Sequence, residues 1–180
     1  IRYRETDMVL FQATSSTTST PHSEADGPMS GTDYMAHHNL RGSACGYVFR
    51  KAILHDLRFR EGTLHEDEEF TPQLMLRAEN IYSTEGKAYH YRVRKDSITH
   101  KTDKRWRMRR LMDAEQVIYR LKNKADHLPV SERIAMERRI AQLTMDYIYN
   151  VIRMTHDSTY LDRVLQRLTK HDLFPLPDKN

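Results

Sequence analysis

The sequence has a single cysteine, Cys45, and none of its apolar runs approaches the ~18 residues that a membrane-spanning helix requires. One cysteine excludes an internal disulfide framework and favours a reducing compartment. No signal peptide is visible, and the chain begins at Ile1 in a strand-like run, so we interpret it as a piece of a longer protein. The chain is 38% hydrophobic and 30% charged, which suffices for a core of modest size.

Charge is unevenly distributed along the chain. The formal net charge is +4, but residues 56–79 hold 3 basic and 7 acidic residues, and residues 87–124 hold 13 basic and 4 acidic ones. The first block therefore carries −4 and the second +9. A basic block of this size indicates either an anionic partner or a solvated helix face.

The first part of the chain is predicted to contain a strand, a loop and a short helix. Residues 7–11 form a short, mostly apolar run that is typical of a buried strand. In residues 13–33, 14 of 21 are Ser, Thr, Gly or Pro, which predicts a flexible surface loop or a lid beside a site. Residues 34–40 are predicted to form one or two helical turns, with Asp33 as the N-cap.

The rest of the chain is predicted to hold short mixed elements and then long helices. Strands are expected at 44–49 and 89–94, and helical segments at 51–57 and 68–80. Because proline disfavours a helix interior, the second segment is expected to begin with Thr71 as N-cap and Pro72 in the first position. Apolar residues recurring every three or four positions predict helices at 103–127, 131–154 and 159–170. The sequence thus predicts an α/β region over residues 1–101 and a helical extension over 102–180.

The densest acidic feature is the run of four carboxylates from Glu66 to Glu69. One explanation is structural, because carboxylates stabilise the N-terminus of a helix. The other is catalytic, because the same position holds a carboxylate ionised and rigid enough to act as a general base. Helical spacing predicts that Asp67 and Phe70 face the core, and that Glu68 and Glu69 lean toward solvent.

Five short motifs follow one another between residues 41 and 101. They are Arg50-Lys51, Phe59-x-x-Gly62, Glu66-Asp67, Tyr89-x-Tyr91-Arg92-x-Arg94 and Ser97-Ile98-Thr99. In order and spacing they resemble the C-terminal part of the catalytic domain of family 2 glycosyltransferases, especially the bacterial enzymes that build surface polysaccharides. The run at 7–11 fits a strand that precedes this part of the family domain.

The resemblance implies an A-type glycosyltransferase fold, a mixed α/β sheet that binds a nucleotide sugar. It implies transfer to an acceptor hydroxyl with inversion of the anomeric centre. By similarity Asp67 is the base that deprotonates the acceptor, and Glu66 orients the acceptor or holds the loop. The acceptor is expected to be a saccharide or a lipid-linked saccharide, which places the enzyme in the cytoplasm, at the inner face of the membrane.

The resemblance also suggests donor-binding residues at the end of the last strand. Arg92, Arg94 and Ser97 are expected to meet the donor pyrophosphate, although a solvated strand face and turn would explain the same residues. His100 stands where some A-type enzymes supply an imidazole to the metal. The complete enzyme is expected to use Mn²⁺ or Mg²⁺.

The sequence departs from the family at its beginning. Family members carry a nucleotide-binding βαβ half and an Asp-x-Asp metal motif before this region, and neither is found here. Thr32-Asp33 and Asp56 lack the strand-end setting that such a motif needs. We therefore expect this chain to lack the main donor and metal site, to be inactive alone, and to self-associate through an unpaired sheet edge.

Two other functions remain as alternatives. The first is a basic module for nucleic acid or an anionic membrane, built on six cations between Lys101 and Arg110 around Trp106. No nucleic-acid motif frames this block, so nucleic acid is not expected, and peripheral association with an anionic membrane is favoured. The second is a metal-dependent hydrolase, for which the spaced ligands are missing.

Overall fold

The computed structural model describes residues 5–15, 24–92 and 103–177, which form an α/β structure with a mixed four-stranded sheet and five α-helices. The described residues divide into two units. The first contains residues 5–15, 24–60 and 67–92, and holds the sheet; the second contains residues 61–66 and 103–177, and is helical. The α/β class predicted from the sequence is confirmed, whereas the A-type glycosyltransferase fold stays a prediction.

The sheet of the first unit is built from strands that are far apart in the sequence. The strands are β1 (Met8–Thr14), β2 (Ala25–Met29), β3 (Tyr47–Phe49) and β4 (Ile81–His90), in the order β2-β4-β1-β3. The central pair β1 and β4 is parallel, and the two outer pairings are antiparallel. Met8 and Ile81 are fully buried and lie opposite each other at the start of the parallel ladder.

The parallel ladder between β1 and β4 is interrupted near its middle. Leu10 pairs with Ser83, but Gln12, two residues later, pairs with Lys87, four residues later. β4 therefore bulges over the intervening residues, where the Thr84 hydroxyl accepts a hydrogen bond from the Gly86 N–H at 3.2 Å. A bulge bends a strand and leaves ladder groups unpaired, and bulges are frequent beside binding sites.

The first unit contains helix α1 (Gly31–His37) and, from Asp67 onward, helix α2 (Glu66–Met75), together with short 3₁₀ turns at Ala44–Gly46 and Lys51–Leu54. Ser30 caps α1, because its hydroxyl accepts from the Asp33 N–H at 3.0 Å. Phe70, Leu74 and Met75 form the buried face of α2. The ring of Phe70 stacks on that of Phe59 with a centroid separation of 3.9 Å.

Several boundaries differ from the sequence-based expectation. The stretch 13–33 is not a loop throughout, because it contains β2 and the start of α1; residues 16–23 lie outside the described part. Asp33 lies inside α1 and Ser30 is the cap. The strand expected at 44–49 is a 3₁₀ turn followed by only three strand residues.

The prediction that Pro72 starts a helix is also wrong. Helix α2 begins at Glu66 and includes Pro72, which is buried. Proline lacks the N–H that would bond the carbonyl four residues earlier, a cost the helix tolerates because its apolar face is buried on both sides of that position. Nearby, the Gln73 side chain donates to the Glu69 carbonyl at 2.6 Å, which adds a bond in the same turn.

The second unit consists of three helices whose predicted existence is confirmed. They are α3 (Lys104–Ala125), α4 (Val130–Thr155) and α5 (Ser158–Lys170). The side chain of Asp103 caps α3 through the Trp106 N–H, and that of Asp157 caps α5 through the Tyr160 N–H. The helices bury an apolar core that includes Leu111, Ile118, Leu121, Met136, Ile140, Val151, Val164 and Leu168.

A buried ion pair joins α3 to α5 within this unit. Glu115 is 7% exposed and accepts two hydrogen bonds from the Arg167 guanidinium, at 2.8 and 3.0 Å, and one from the Tyr119 hydroxyl at 2.7 Å. Burial tends to raise the pKa of Glu115, but the hydrogen bonds and charge of Arg167, together with Tyr119, leave the pKa below its ordinary value. The same arrangement raises the pKa of Tyr119 to about 12, chiefly by burial and by the Glu115 carboxylate.

Candidate functional site

A pocket of ≈ 130 Å³ lies in the first unit beside the bulge of the β1–β4 ladder. Its polar lining comes from β1, α1, the segment before β3, β3 itself and β4: Gln12, Tyr34, Asn39, Arg41, Tyr47, Ser83 and Thr84. Apolar walls are provided by Leu10, Phe11 and Leu40. Among the described residues that line the pocket, Arg41 carries the only formal charge.

The guanidinium of Arg41 is oriented by β1. Its Nη1 donates to the Gln12 side-chain oxygen at 3.2 Å. The ring of Tyr34 lies close by: burial raises the pKa of the Tyr34 hydroxyl, which is opposed by a hydrogen bond with Ser83 and by the charge of Arg41, while Glu85 adds to the rise. Tyr34 is therefore a neutral phenol that interacts with Ser83 of β4 and with the positive charge of Arg41.

Tyr47 also lines the pocket and belongs to a directed chain of hydrogen bonds. The Thr71 hydroxyl donates to the Gly42 carbonyl at 2.6 Å, and the Tyr47 hydroxyl lies 3.0 Å from the Thr71 hydroxyl oxygen. A threonine hydroxyl has one proton, and that proton is used for Gly42. The Tyr47 hydroxyl is consequently the donor to Thr71, and its own oxygen retains only acceptor capacity.

Asp67, the predicted base, lies in the first turn of α2 and is partly buried. Its Oδ1 accepts from the Glu68 N–H at 3.0 Å. Burial raises the pKa of Tyr47, the Thr71 hydrogen bond opposes the rise, and the negative charge of Asp67 adds to it. Asp67 does not itself line the pocket, but its charge acts on the tyrosine that does.

The remaining carboxylates of the run do not follow the expected orientation. Glu69 is 6% exposed, more buried than its predicted solvent-facing position allows, and its carboxylate lies 3.3 Å from Arg60 Nε. The Arg60 charge makes that burial tolerable. Glu68 is half-buried against Gly42, where an added Cβ would meet its carboxylate. Glu66, the other predicted site residue, is partly buried at the first position of α2.

The residue that introduces this acidic turn is in an unusual backbone conformation. His65 immediately precedes α2 and has a φ of 63°, in the left-handed region that residues with a Cβ seldom occupy. Such a conformation costs of order 1–2 kcal/mol and is found disproportionately at functional sites. His55, His156 and Asp172 also have positive φ, so the conformation of His65 does not by itself mark a site.

A further carboxylate, Asp7, has a structural role that the sequence did not reveal. It is 9% exposed, and its Oδ2 accepts from the backbone N–H groups of Glu79 and Asn80 at 3.0 and 3.1 Å. Arg50, of the Arg50-Lys51 motif, donates its backbone N–H to the Asp7 carbonyl at 2.7 Å and places its guanidinium 3.7 Å from Asp7 Oδ1. These contacts join the starts of β1 and β4 to the segment after β3.

The predicted donor-binding residues lie at or beyond the end of the described first unit. Arg92 is exposed, just after β4, whereas Arg94, Ser97 and His100 lie outside the described residues. Within residues 5–15, 24–92 and 103–177, no group of three or more His, Cys, Asp or Glu side chains is placed to hold a metal ion. Mn²⁺ or Mg²⁺ therefore stays a prediction for the complete enzyme.

Sequence reasoning missed the pocket itself. Gln12 and Arg41 are 29 positions apart, and only the fold brings them together. The one available signal is that Arg41 begins the segment that resembles the glycosyltransferases, together with the glycine that follows it.

Comparisons with known proteins leave the family open: no protein-family model matches the sequence, and a search of curated proteins finds no match. None of the helices in the described ranges combines the length and the apolar composition needed to cross a lipid bilayer. The assignment of function consequently depends on the motifs and on the geometry given above.

Proposed function

We propose that this chain is part of a glycosyltransferase that moves a sugar from a nucleotide-sugar donor to an acceptor hydroxyl with inversion. The observation that carries the proposal is the position of Asp67. It stands in the ordered series of family 2-like motifs, in the first turn of a helix, and its charge acts on Tyr47 in the wall of a polar pocket.

Asp67 acts as the general base in this proposal. The acceptor O–H bond breaks as its proton passes to the Asp67 carboxylate, and the acceptor oxygen forms a bond to the anomeric carbon of the donor. The bond from that carbon to the nucleoside diphosphate breaks, and the diphosphate leaves with the electron pair. The exposed N–H groups at the start of α2 favour the ionised carboxylate that this step requires.

The test is a transfer assay on the complete reading frame that contains this chain, with a panel of nucleotide sugars. Asp67→Asn removes the base while keeping the size of the side chain, so the rate is expected to fall about 10²–10⁴-fold. Asp26→Asn, at an exposed position of β2, is the matched control and is expected to retain the full rate. A near wild-type rate for Asp67→Asn, with thermal unfolding unchanged, excludes Asp67 as the base.

We also propose, as a second candidate function, docking of α3 on an anionic membrane. Lys104, Arg105 and Arg107 are exposed in the first turn of α3, and this turn contains no acidic residue. Cations are unfavourable at this end of a helix, because the helix dipole is positive there. An anionic surface that neutralises them would remove the penalty.

A further inference from the structure

The polar pocket beside the β1–β4 bulge offers two different kinds of group to a ligand. Tyr47 lines the pocket, and its hydroxyl donates its proton to Thr71, so toward any further partner it can only accept a hydrogen bond. A hydroxyl in this state matches a ligand hydroxyl, and it repels the oxygen of a carboxylate or phosphate.

Arg41, which also lines the pocket, offers charged donors. A guanidinium has five N–H groups, and the hydrogen bond to Gln12 uses one of them. Arg41 is exposed, so its remaining donors are accessible, and among the described residues that line the pocket none is acidic. Glu85 acts on Tyr34 from outside this lining. The guanidinium fork fits the two oxygens of a carboxylate.

The size of the pocket limits what can fill it. Its volume is ≈ 130 Å³. Sites that enclose a whole drug-sized ligand are usually about 300–1,000 Å³. The space therefore suits one sugar ring or part of it, and it is too small for a nucleotide sugar.

We propose that this pocket binds a sugar residue that carries a carboxylate, such as a uronic acid. Arg41 holds the carboxylate, the Tyr47 oxygen accepts a hydrogen bond from a ring hydroxyl, and Ser83 and Thr84 line the β4 side. The inference rests on the proposed function in one respect, because it takes the acid sugar to be part of the acceptor.

Binding is measured by NMR titration of the isotope-labelled 180-residue chain with D-glucuronate and D-glucose. Glucuronate is expected to shift the backbone amide signals of Gly46, Ser83 and Thr84, and to bind at least tenfold more tightly than glucose, because a charge-assisted pair is added. Equal affinity for the two sugars, or shifts elsewhere only, overturns the proposal. Inorganic phosphate that binds the same amides as tightly as glucuronate also overturns it, because the pocket then recognises charge alone.

Two variants of Arg41 test whether its guanidinium binds the carboxylate of the sugar. Arg41→Gln is expected to weaken glucuronate binding at least tenfold and to leave glucose binding unaffected. Arg41→Lys retains the charge but loses the forked donors of the guanidinium, so its glucuronate affinity is expected to lie between those of wild type and Arg41→Gln. Lys51→Gln removes an exposed cation of the same unit outside the pocket, and is expected to bind like wild type. Unchanged glucuronate affinity in Arg41→Gln contradicts the assignment of Arg41.

The binding result and the transfer result are separable. If glucuronate binding depends on Arg41 but the protein from the complete reading frame transfers no sugar, the acid-sugar site is supported and the glycosyltransferase activity is excluded. If transfer depends on Asp67 but proceeds equally well to acceptors without a carboxylate, the glycosyltransferase activity is supported and the acid-sugar site is excluded.

Discussion

Gly31 is placed where no other residue fits. Its backbone N–H donates to the Ala78 carbonyl at 2.8 Å, and a Cβ added at this position would overlap the carbonyl of Met75 at the end of α2. The obstacle is backbone rather than a flexible side chain, so neither neighbour can move away cheaply. The glycine thus permits the close approach of α1 to α2, and its φ is ordinary.

Gly31→Ala is accordingly expected to lower the free energy of unfolding by about 2 kcal/mol or more, as overpacked positions do. Urea unfolding followed by circular dichroism measures the change. The control is Gly46→Ala, because its added Cβ would lie 3.9 Å from the Phe11 carbonyl, an ordinary contact, and the stability is expected to change by less than about 0.5 kcal/mol. Equal stability of the two variants would contradict the packing argument.

The ion pair between α3 and α5 is the clearest energetic link between two elements. Glu115 is buried, whereas the Arg167 side chain is 40% exposed, so removal of the arginine leaves a carboxylate in a largely dry site. Arg167→Met is expected to destabilise the protein at pH 7 by about 2–3 kcal/mol, less than for a fully buried pair because solvent screens the guanidinium. Arg163→Met, an exposed cation four positions earlier on α5, is the control and is expected to cost little.

The pH dependence of unfolding tests the Glu115–Arg167 ion pair independently. The pKa of Glu115 in the folded protein lies below its ordinary value of 4.5, so the contribution of the pair is present above that pH and is lost as the pH falls through the folded pKa. The difference in unfolding temperature between wild type and Arg167→Met should therefore be large at pH 7 and shrink below about pH 4.5. A difference that is constant from pH 7 to pH 3 would show that Glu115 is not the partner that matters.

The accuracy of sequence-based prediction also differs between elements. Helices α3, α4 and α5 were predicted within a few residues because each has an apolar stripe of helical period, and Asp103 and Asp157 supply side-chain caps. The start of α2 was mistaken because the local rule for Pro72 was outweighed by burial of the helix face. Register is harder still: the bulge in β4 follows from pairing with β1, a strand some 70 positions earlier, and no local pattern encodes it.

The candidate site also combines features that local sequence patterns indicate with features that only the fold reveals. Asp67 was proposed from the sequence because the motif that contains it is local, and its role as the base stays a prediction. Its influence on Tyr47 could not be foreseen, because that influence depends on the packing of α2 against β3. Glu69 was expected to face solvent, and it is buried because Arg60, nine positions earlier, reaches it. Local periodicity does not reveal a neutralising partner at that distance.

At the scale of the whole molecule, the two blocks of opposite charge are divided mainly between the two units. Residues 56–79 lie mostly in the sheet-bearing unit, and the basic N-terminal half of α3 lies in the helical one. We expect the chain to sediment with phosphatidylcholine vesicles only when phosphatidylglycerol is included. The combined change of Lys104, Arg105 and Arg107 to Gln should weaken binding roughly fivefold per cation, given about 1 kcal/mol for each near an anionic surface.

A control with the same loss of charge separates a local patch from net charge. Lys124, Arg153 and Lys170 are exposed cations elsewhere on the three helices, and changing all three to Gln should leave vesicle binding nearly intact. Equal losses in the two triple variants would mean that total charge decides binding. Tighter binding to double-stranded DNA than to the vesicles, with a steep salt dependence, would replace the membrane by nucleic acid.

The composition of β2 affects how the sheet meets other chains. β2 is an outer strand of the described sheet, and Pro28, the fourth of its five residues, has no N–H to offer. A foreign strand laid along it would find one N–H fewer near the end of β2, which discourages the stacking of copies into a growing fibril on that side. The missing N–H is a covalent property of proline. Its effect therefore does not depend on ionic strength and persists at high salt, where repulsion between surface charges is screened.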